Sequence, residues 1–249
     1  MTFFIRLADR NIRIQSLYEA VFSFCESYVI NDPGTVQADI DITVHAEDIE
    51  NEAAVVRREN SKLGFSFEYA PQVLEAAAVH RKIATAMTAF DTFVMHGTVI
   101  STSGTGYMIT ASSGTGKTTR AKLWVKHIPD SQIVNGDKPL IRITDDAAYA
   151  YGTPWCGKEG MNVNTCVPLR SLLILERSDG GNTIAPMRAS DAYPVLLRQT
   201  YFPVETAARL KTFSLLQRLT DNVSIFHFCS EPTAEAVLTA WQATRSADR

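Results

Sequence analysis

The chain is poor in the features that mark secreted, membrane-spanning and nucleic-acid-binding proteins. Its 249 residues hold four cysteines (Cys25, Cys156, Cys166 and Cys229), which show neither a CxxC pair nor the spacing of a metal site. That excludes a dense disulfide framework and fits reduced thiols in a cytoplasmic protein. No cluster of Lys and Arg is denser than Arg57-Arg58 and the net charge is −3, so no nucleic-acid partner is expected. No apolar run approaches the length of a membrane-spanning helix, so no membrane is expected either. The opening residues, MTFFIRLADRNIRI, alternate like a strand and lack the basic-then-apolar layout of a secretory signal. Long repeats and low-complexity segments are also missing. What remains is a soluble globule with enough chain for one large domain or two small ones.

Within it, STSGTGYMITASSGTGKTTR (101–120) contains SGTG twice. The first copy lies between the apolar runs FVMHGTVI and YMIT, which reads as two strands and a hairpin turn. The second copy follows the strand-like Tyr107–Thr110 and opens onto the helical run TTRAKLWVKHI, with an apolar stripe at Ala121, Trp124, Val125 and Ile128. Strand, glycine loop, helix is the setting of a phosphate-binding loop. ASSGTGKT fits GxxxxGK[ST] except that Ala111 replaces the first glycine, a tolerable change if residue 111 keeps a negative φ. In such a loop backbone N–H groups and the positive helix end face the phosphates. The expected ATP site is therefore Ser112, Ser113, Gly114, Thr115, Gly116, Lys117, Thr118 and Thr119. Lys117 would neutralise the β and γ phosphates, and the Thr118 hydroxyl would ligate Mg²⁺.

Such a loop needs an acid close by, either to organise the metal or to act as general base. Asp137, after the apolar strand QIV, is the candidate. A parallel strand adjacent to the loop would bring its carboxyl end beside the phosphates. The plainer alternative is that Asp137 caps a turn before Lys138-Pro139.

The first seventy residues read as β-rich, from the alternations Ile12/Ile14, Ile40/Ile42/Val44 and Phe65/Phe67/Tyr69, with one helix over about 16–28. Residues 71–90 have helical spacing, with a stripe of Val73, Ala76, Ala77, His80, Ile83, Ala84 and Met87, on which His80 is a packed core residue. Beyond 137 the expectation is a strand pair around Thr144–Ala147, a loop over 152–164 and a strand over 169–177. Helices at about 189–200 and 205–220, a strand at 223–228 and a helix after Pro232 complete the chain. Two portions follow, 1–70 and 71–249, either as separate units or as one compact domain together.

These residues also carry a family resemblance. MHG (95–97), a strand pair, SGTGKTT and a strand ending in an aspartate resemble the catalytic domain of HPr kinase/phosphorylase. The segments NGDKP (135–139) and YGTPWCGKEG (151–160) are similar to those of short HPr-kinase-related proteins, and SGTGKTT resembles the nucleotide loop of ATP-dependent phosphoenolpyruvate carboxykinase. The resemblance runs from about Met95 to Arg177, continues more loosely to the C-terminus and does not reach the first seventy residues.

It implies an α/β fold of the HPr kinase/phosphoenolpyruvate carboxykinase type, with a P-loop, a mixed β-sheet and an added N-terminal β-rich portion. It further implies ATP or a related donor, Mg²⁺, and transfer to a hydroxyl on a protein or peptide serine or on a small metabolite. His96 would support the catalytic aspartate or relay a proton; as a bare residue at a strand end it could equally be structural. Where that kinase has two adjacent aspartates, this sequence has Gly136-Asp137-Lys138. Asp137 is then the base, the partner of the metal, or both in turn, and Lys138 offers the phosphates a positive charge. In the related proteins the YGTPWCGKEG segment lies towards the active site, so Glu159 is a metal candidate and Lys158 a phosphate contact; the alternative is a surface loop with an incidental ion pair. Arg198, in LLRQTYFP, falls where the kinase carries a basic segment near the acceptor, although a solvated helix face explains it as well.

The leading expectation is a kinase. The alternatives are a nucleotide-binding regulator without transfer, favoured by the missing second acid, and a carboxykinase-type reaction, disfavoured by the short chain. Residues 1–70 are expected to select substrate or to mediate self-association.

Overall fold

The computed structural model describes residues 1–64 and 66–246. The chain divides into two compact units, Met1–Ala86 and Met87–Arg249.

In the first unit β1 (Thr2–Leu7) and β2 (Arg10–Gln15) form a hairpin whose turn residues, Ala8 and Asp9, both have positive φ. β3 (Ile40–Thr43) joins β2 in parallel and sets Ile40 and Ile42 beside Ile12 and Ile14. The expected single helix over 16–28 is a short α1 (Ala20–Phe24) and a 3-10 turn over Glu26–Tyr28.

The β-rich expectation misses a helix of 18 residues, α2 (Ala46–Leu63). Its surface is so polar that its apolar spacing is faint, and its buried Glu52 is balanced by an ion pair with Arg81. α3 (Pro71–Ala86) packs on α1, α2 and β3, so it belongs to this unit and the division falls after residue 86 rather than 70. Its buried face holds Leu74, Ala78, Val79, His80 and Ile83, while Val73 is exposed. Among the described residues 66–69 no strand forms where the aromatic alternation predicts one. Gly64 caps α2 with φ +72 and Pro71 opens α3, so these residues are a helix–helix connection. Phe67 and Tyr69 are exposed and meet edge to face, and Phe65 lies outside the described residues.

The second unit is α/β, built on a mixed nine-stranded sheet. In chain order the elements are β4 (Thr92–Val94), β5 (Thr98–Thr102), β6 (Thr105–Thr110), α4 (Lys117–His127), β7 (Ser131–Asn135), β8 (Leu140–Ile143) and β9 (Ala148–Tyr151). β10 (Cys166–Arg177), β11 (Thr183–Pro186), α5 (Ala189–Gln199), α6 (Thr206–Asn222), β12 (Ser224–Ser230) and α7 (Ala234–Ser246) complete it. The strand order is β4-β8-β9-β10-β6-β5-β7, with β12 parallel to β10 and β11 antiparallel to β12. β10 runs parallel to β6 on one side and to β12 on the other, which makes it the centre of the sheet.

Alternate strand residues point to opposite faces, and both faces are covered. Ile100, Ile109 and Leu173 pack with Ala121 and Trp124 of α4 and Val237 of α7. Val99, Met108 and Leu172 pack with Leu196 of α5 and Leu215, Leu216 and Leu219 of α6. The first SGTG is the expected hairpin turn: Ser103 and Gly104 have φ +48 and +79, and Thr102 pairs with Thr105.

One topological expectation is corrected. β7 is not beside β6; β5 lies between them and is antiparallel to both. Because two reversals cancel, β7 still runs in the direction of β6, and their carboxyl ends share one edge of the sheet.

Candidate functional site

β6 ends at Thr110 and α4 begins at Lys117, so residues 111–116 form the loop. Gly114 and Gly116 have φ +79 and +103, backbone states that L side chains rarely adopt. Ala111 is not among the positive-φ residues, so its methyl costs the loop nothing. The first N–H groups of α4 have no partner within the helix and, with the helix dipole, form a positive end at the loop.

Lys117 is buried, and its Nζ donates to the carbonyls of Ala111 (3.0 Å) and Ser112 (3.3 Å), so the side chain folds back over its own loop. Burial pushes its pKa down, and the charge of Asp137 partly offsets that. Thr118 is half-buried in the first turn of α4, while Ser112, Ser113, Gly114 and Thr119 are exposed.

Asp137 follows β7 in a turn held by a different residue. Asn135 Oδ1 accepts from the backbone N–H groups of Asp137 (2.9 Å) and Lys138 (2.8 Å), and Asn135 Nδ2 donates to the carbonyl and hydroxyl oxygens of Thr153. Asn135 therefore does the capping and leaves the Asp137 carboxylate available. That carboxylate meets His96: Nε2 and Oδ1 are 3.2 Å apart. Burial pushes the Asp137 carboxyl up, but the hydrogen bond and charge of His96, with the charges of Lys138 and Lys117, outweigh it and hold the pKa below the ordinary carboxylate value.

Backbone contacts fix the pair. Gly97 N–H donates to Asp137 O at 2.9 Å, and Thr110 Oγ1 donates to His96 O at 2.7 Å. A Cβ on Gly97 would stand 2.9 Å from Ile109 O, so glycine is what lets the His96-Gly97 corner press against β6. On the other side of the histidine, Nδ1 lies 3.0 Å from Gln199 Oε1 and the backbone N–H donates to Gln199 O at 2.7 Å.

The 152–164 segment is the expected loop and folds over the acid. Gly136 N–H donates to Met161 O, Lys138 N–H donates to Trp155 O, and a Cβ on Gly157 would lie 3.2 Å from Asp137 Cβ. Its charged tip points elsewhere. Lys158 is exposed, and Glu159, expected as a metal ligand, is exposed and ion-paired with Lys122 of α4. Among the described residues no group of three or more His, Cys, Asp or Glu could hold a metal. A magnesium ion bound with a nucleotide takes most of its oxygens from phosphates and water, so Thr118 and the single carboxylate of Asp137 fit that chemistry.

Arg198 is exposed at the end of α5 and lines a cleft of about 610 Å³ with Ser112, Thr115, Arg177 and Gln199. The cleft opens at the carboxyl ends of β6, β10 and β12, and its apolar wall includes Ile174, Met187 and Val195. Glu176 and His227, also in the lining, pair at 2.8 Å.

Sequence reasoning missed Gln199, Arg120, Arg177 and the Glu176–His227 pair. Gln199 stands beside Arg198 in LLRQTYFP, but nothing local signals that it meets a histidine 103 positions earlier.

No helix among the described residues is long and apolar enough to cross a membrane. No protein-family model and no curated protein matches the chain. Among solved structures, the Hpr(Ser) kinase/phosphatase of Coxiella burnetii aligns at 9% identity and a TM-score of 0.34, over 62% of this chain and 99% of that one. At that identity and score the likeness carries no function across to this chain.

Proposed function

We propose that the second unit is an ATP- and Mg²⁺-dependent phosphotransferase that moves the γ-phosphoryl group to a hydroxyl. One observation carries this reading: the Asp137 carboxylate, paired with His96, stands at the sheet edge from which the glycine loop emerges, and His96 O accepts from Thr110, the residue before that loop. A phosphate cradle and a carboxylate at the same sheet edge are the parts that phosphoryl transfer requires, since the protein's task is mostly positioning and charge stabilisation.

In this reading the loop amides at 112–118 hold the donor phosphates, and Lys117 leaves its own carbonyls to neutralise their outer oxygens. Asp137 orients the acceptor hydroxyl and takes its proton as the oxygen attacks in line. His96 fixes the carboxylate by its Nε2 contact and is itself fixed by Gln199. Thr118 and Asp137 would hold Mg²⁺, which would supply positive charge against the phosphates. Lys138 adds positive charge beside Asp137, and Arg198 stands at the adjoining cleft, where the acceptor would bind. The acceptor is a serine of a protein or peptide, or a small metabolite, and the first unit would select it or mediate self-association.

The test is incubation of the full chain with γ-labelled ATP, Mg²⁺ and a cell lysate, followed by a search for labelled products. The comparison is wild type against Asp137→Ala and Lys117→Ala. Both variants are expected to lose transfer, and Asp137→Ala is expected to keep ATP binding. Normal transfer by Asp137→Ala would remove the proposed base, and a wild-type chain that binds no ATP would end the reading. A second reading, a nucleotide-binding regulator, draws on the single acid at the loop and on the commitment of Glu159 to Lys122. It predicts ATP binding without a labelled product.

A further inference from the structure

Two arginines from different elements meet at the carbonyls of the glycine loop. Arg177, at the end of β10, donates from Nη2 to Gly114 O at 2.7 Å and from Nε to Thr115 O at 3.2 Å. Arg120, in α4, donates from Nη1 to the same Thr115 O at 3.3 Å and anchors itself through Nη2 on Ser230 O. A single carbonyl, that of Thr115, is thus held by two guanidinium groups.

The consequence follows from the shape of the peptide unit. A trans peptide is planar, with its C=O and N–H directed oppositely. Holding Thr115 C=O on the arginines therefore turns the Gly116 N–H away from them, and holding Gly114 C=O does the same for the Thr115 N–H. The Thr115 N–H reaches Ser112 O only over 3.4 Å, too long to fix its direction. Within the loop only that one long hydrogen bond restrains the Gly114–Thr115 peptide, whereas the arginines hold both peptides.

The arrangement is electrostatically costly without an anion. Arg120 is almost fully buried; its burial, with the neighbouring charge of Arg177, pushes its pKa down. Among the described residues neither arginine has a carboxylate partner, and the nearby Glu176 is engaged by His227.

We propose that Arg177 and Arg120 are positioning residues that hold the Gly114–Thr115 and Thr115–Gly116 peptides in the orientation that receives a polyphosphate. The inference rests on the phosphoryl-transfer reading and deepens it: it names what sets the amides before the ligand arrives. Affinity is gained because the loop need not be ordered on binding. Arg120 is buried and its loss would disturb folding, so the exposed Arg177 is the residue to change.

The experiment compares full-length wild type, Arg177→Met and Arg177→Lys. Calorimetric titration with magnesium tripolyphosphate and with MgATP is combined with ¹⁵N spectra of the ligand-free proteins. Arg177→Met is expected to weaken both ligands roughly tenfold, the size of one net hydrogen bond. It is also expected to move the Gly116 amide resonance before any ligand is added. Arg177→Lys, which keeps one donor, should recover part of the affinity. Unchanged affinities in Arg177→Met would overturn the proposal. So would a loss of affinity with the ligand-free Gly116 resonance unmoved, because that pattern means direct contact with phosphate. If wild type binds neither ligand, the phosphoryl-transfer reading falls, while the ligand-free Gly116 resonance still decides whether the arginines orient the peptide.

Discussion

His96 Nε2 lies 3.2 Å from Asp137 Oδ1, although the two residues reach the site from opposite ends of strands that pair with each other. His96 precedes β5 and Asp137 follows β7, and because these strands are antiparallel the two ends coincide. The contact orients the carboxylate without contributing to the phosphate cradle. His96→Ala should therefore lower phosphoryl transfer about ten- to a hundredfold, as the loss of a supporting partner does. ATP affinity measured by calorimetry should stay close to wild type. A matching loss of affinity would move His96 into the nucleotide site.

Acid stability should report the same carboxylate. Asp137 has its pKa lowered in the fold, because His96, Lys138 and Lys117 outweigh the upward push of burial. A carboxyl with a depressed folded pKa contributes stability that is present above its unfolded pKa and is lost as pH falls through the folded one. Wild type should therefore lose more stability than Asp137→Asn between about pH 5 and pH 2. Urea unfolding at several pH values measures this, and parallel curves for the two proteins would contradict it.

Gly97 allows the His96 corner to approach β6, with backbone only 2.9 Å from where a Cβ would be. Gly97→Ala should destabilise the fold by about 1–3 kcal/mol, the cost of overpacking against atoms that cannot yield. It should also reduce transfer beyond what lost stability explains, since His96 moves with the corner. Denaturant unfolding and a transfer assay on the folded fraction separate the two effects.

Glu159 provides the contrasting case. Its carboxylate and the Lys122 ammonium are both about half exposed, so their ion pair is worth under about 1 kcal/mol. Glu159→Gln should leave stability, ATP affinity and the Mg²⁺ requirement within about twofold of wild type. A raised Mg²⁺ requirement in this variant would return Glu159 to the metal site.

The glycine loop was legible in the sequence because all its determinants are consecutive: two glycines that accept positive φ, a lysine, and a helix with an apolar stripe. Asp137 was legible for a related reason, since the end of an apolar strand after that helix falls at the loop's edge of the sheet. The adjacency of β7 and β6 was misread because the β5–β6 hairpin inserts a strand between them, and hairpin pairing with a later strand leaves no local mark. α2 was hidden by its polarity, and the Phe67/Tyr69 alternation imitated a strand within a helix–helix connection. The partners Gln199, Arg120 and Arg177 were invisible for want of topology. Gln199 and Arg177 act on residues far away in the chain and Arg120 is anchored on one, Ser230, and any polar residue type could stand at those positions for ordinary reasons.

β5 acts as a ruler between the loop and the acid. Thr98 Oγ1 donates to Gly136 O at one end of the strand, while its other end turns straight into β6 and so fixes where residue 111 emerges. Lengthening β6 alone by two residues would preserve which side chains face which layer, yet carry the phosphate cradle about 7 Å along the sheet relative to Asp137. Insertions that lengthen one arm of this hairpin and not the other should therefore be poorly tolerated although the hairpin touches no reactant, and the pairing of Thr98 with Ile109 is as much a part of the site as the residues themselves.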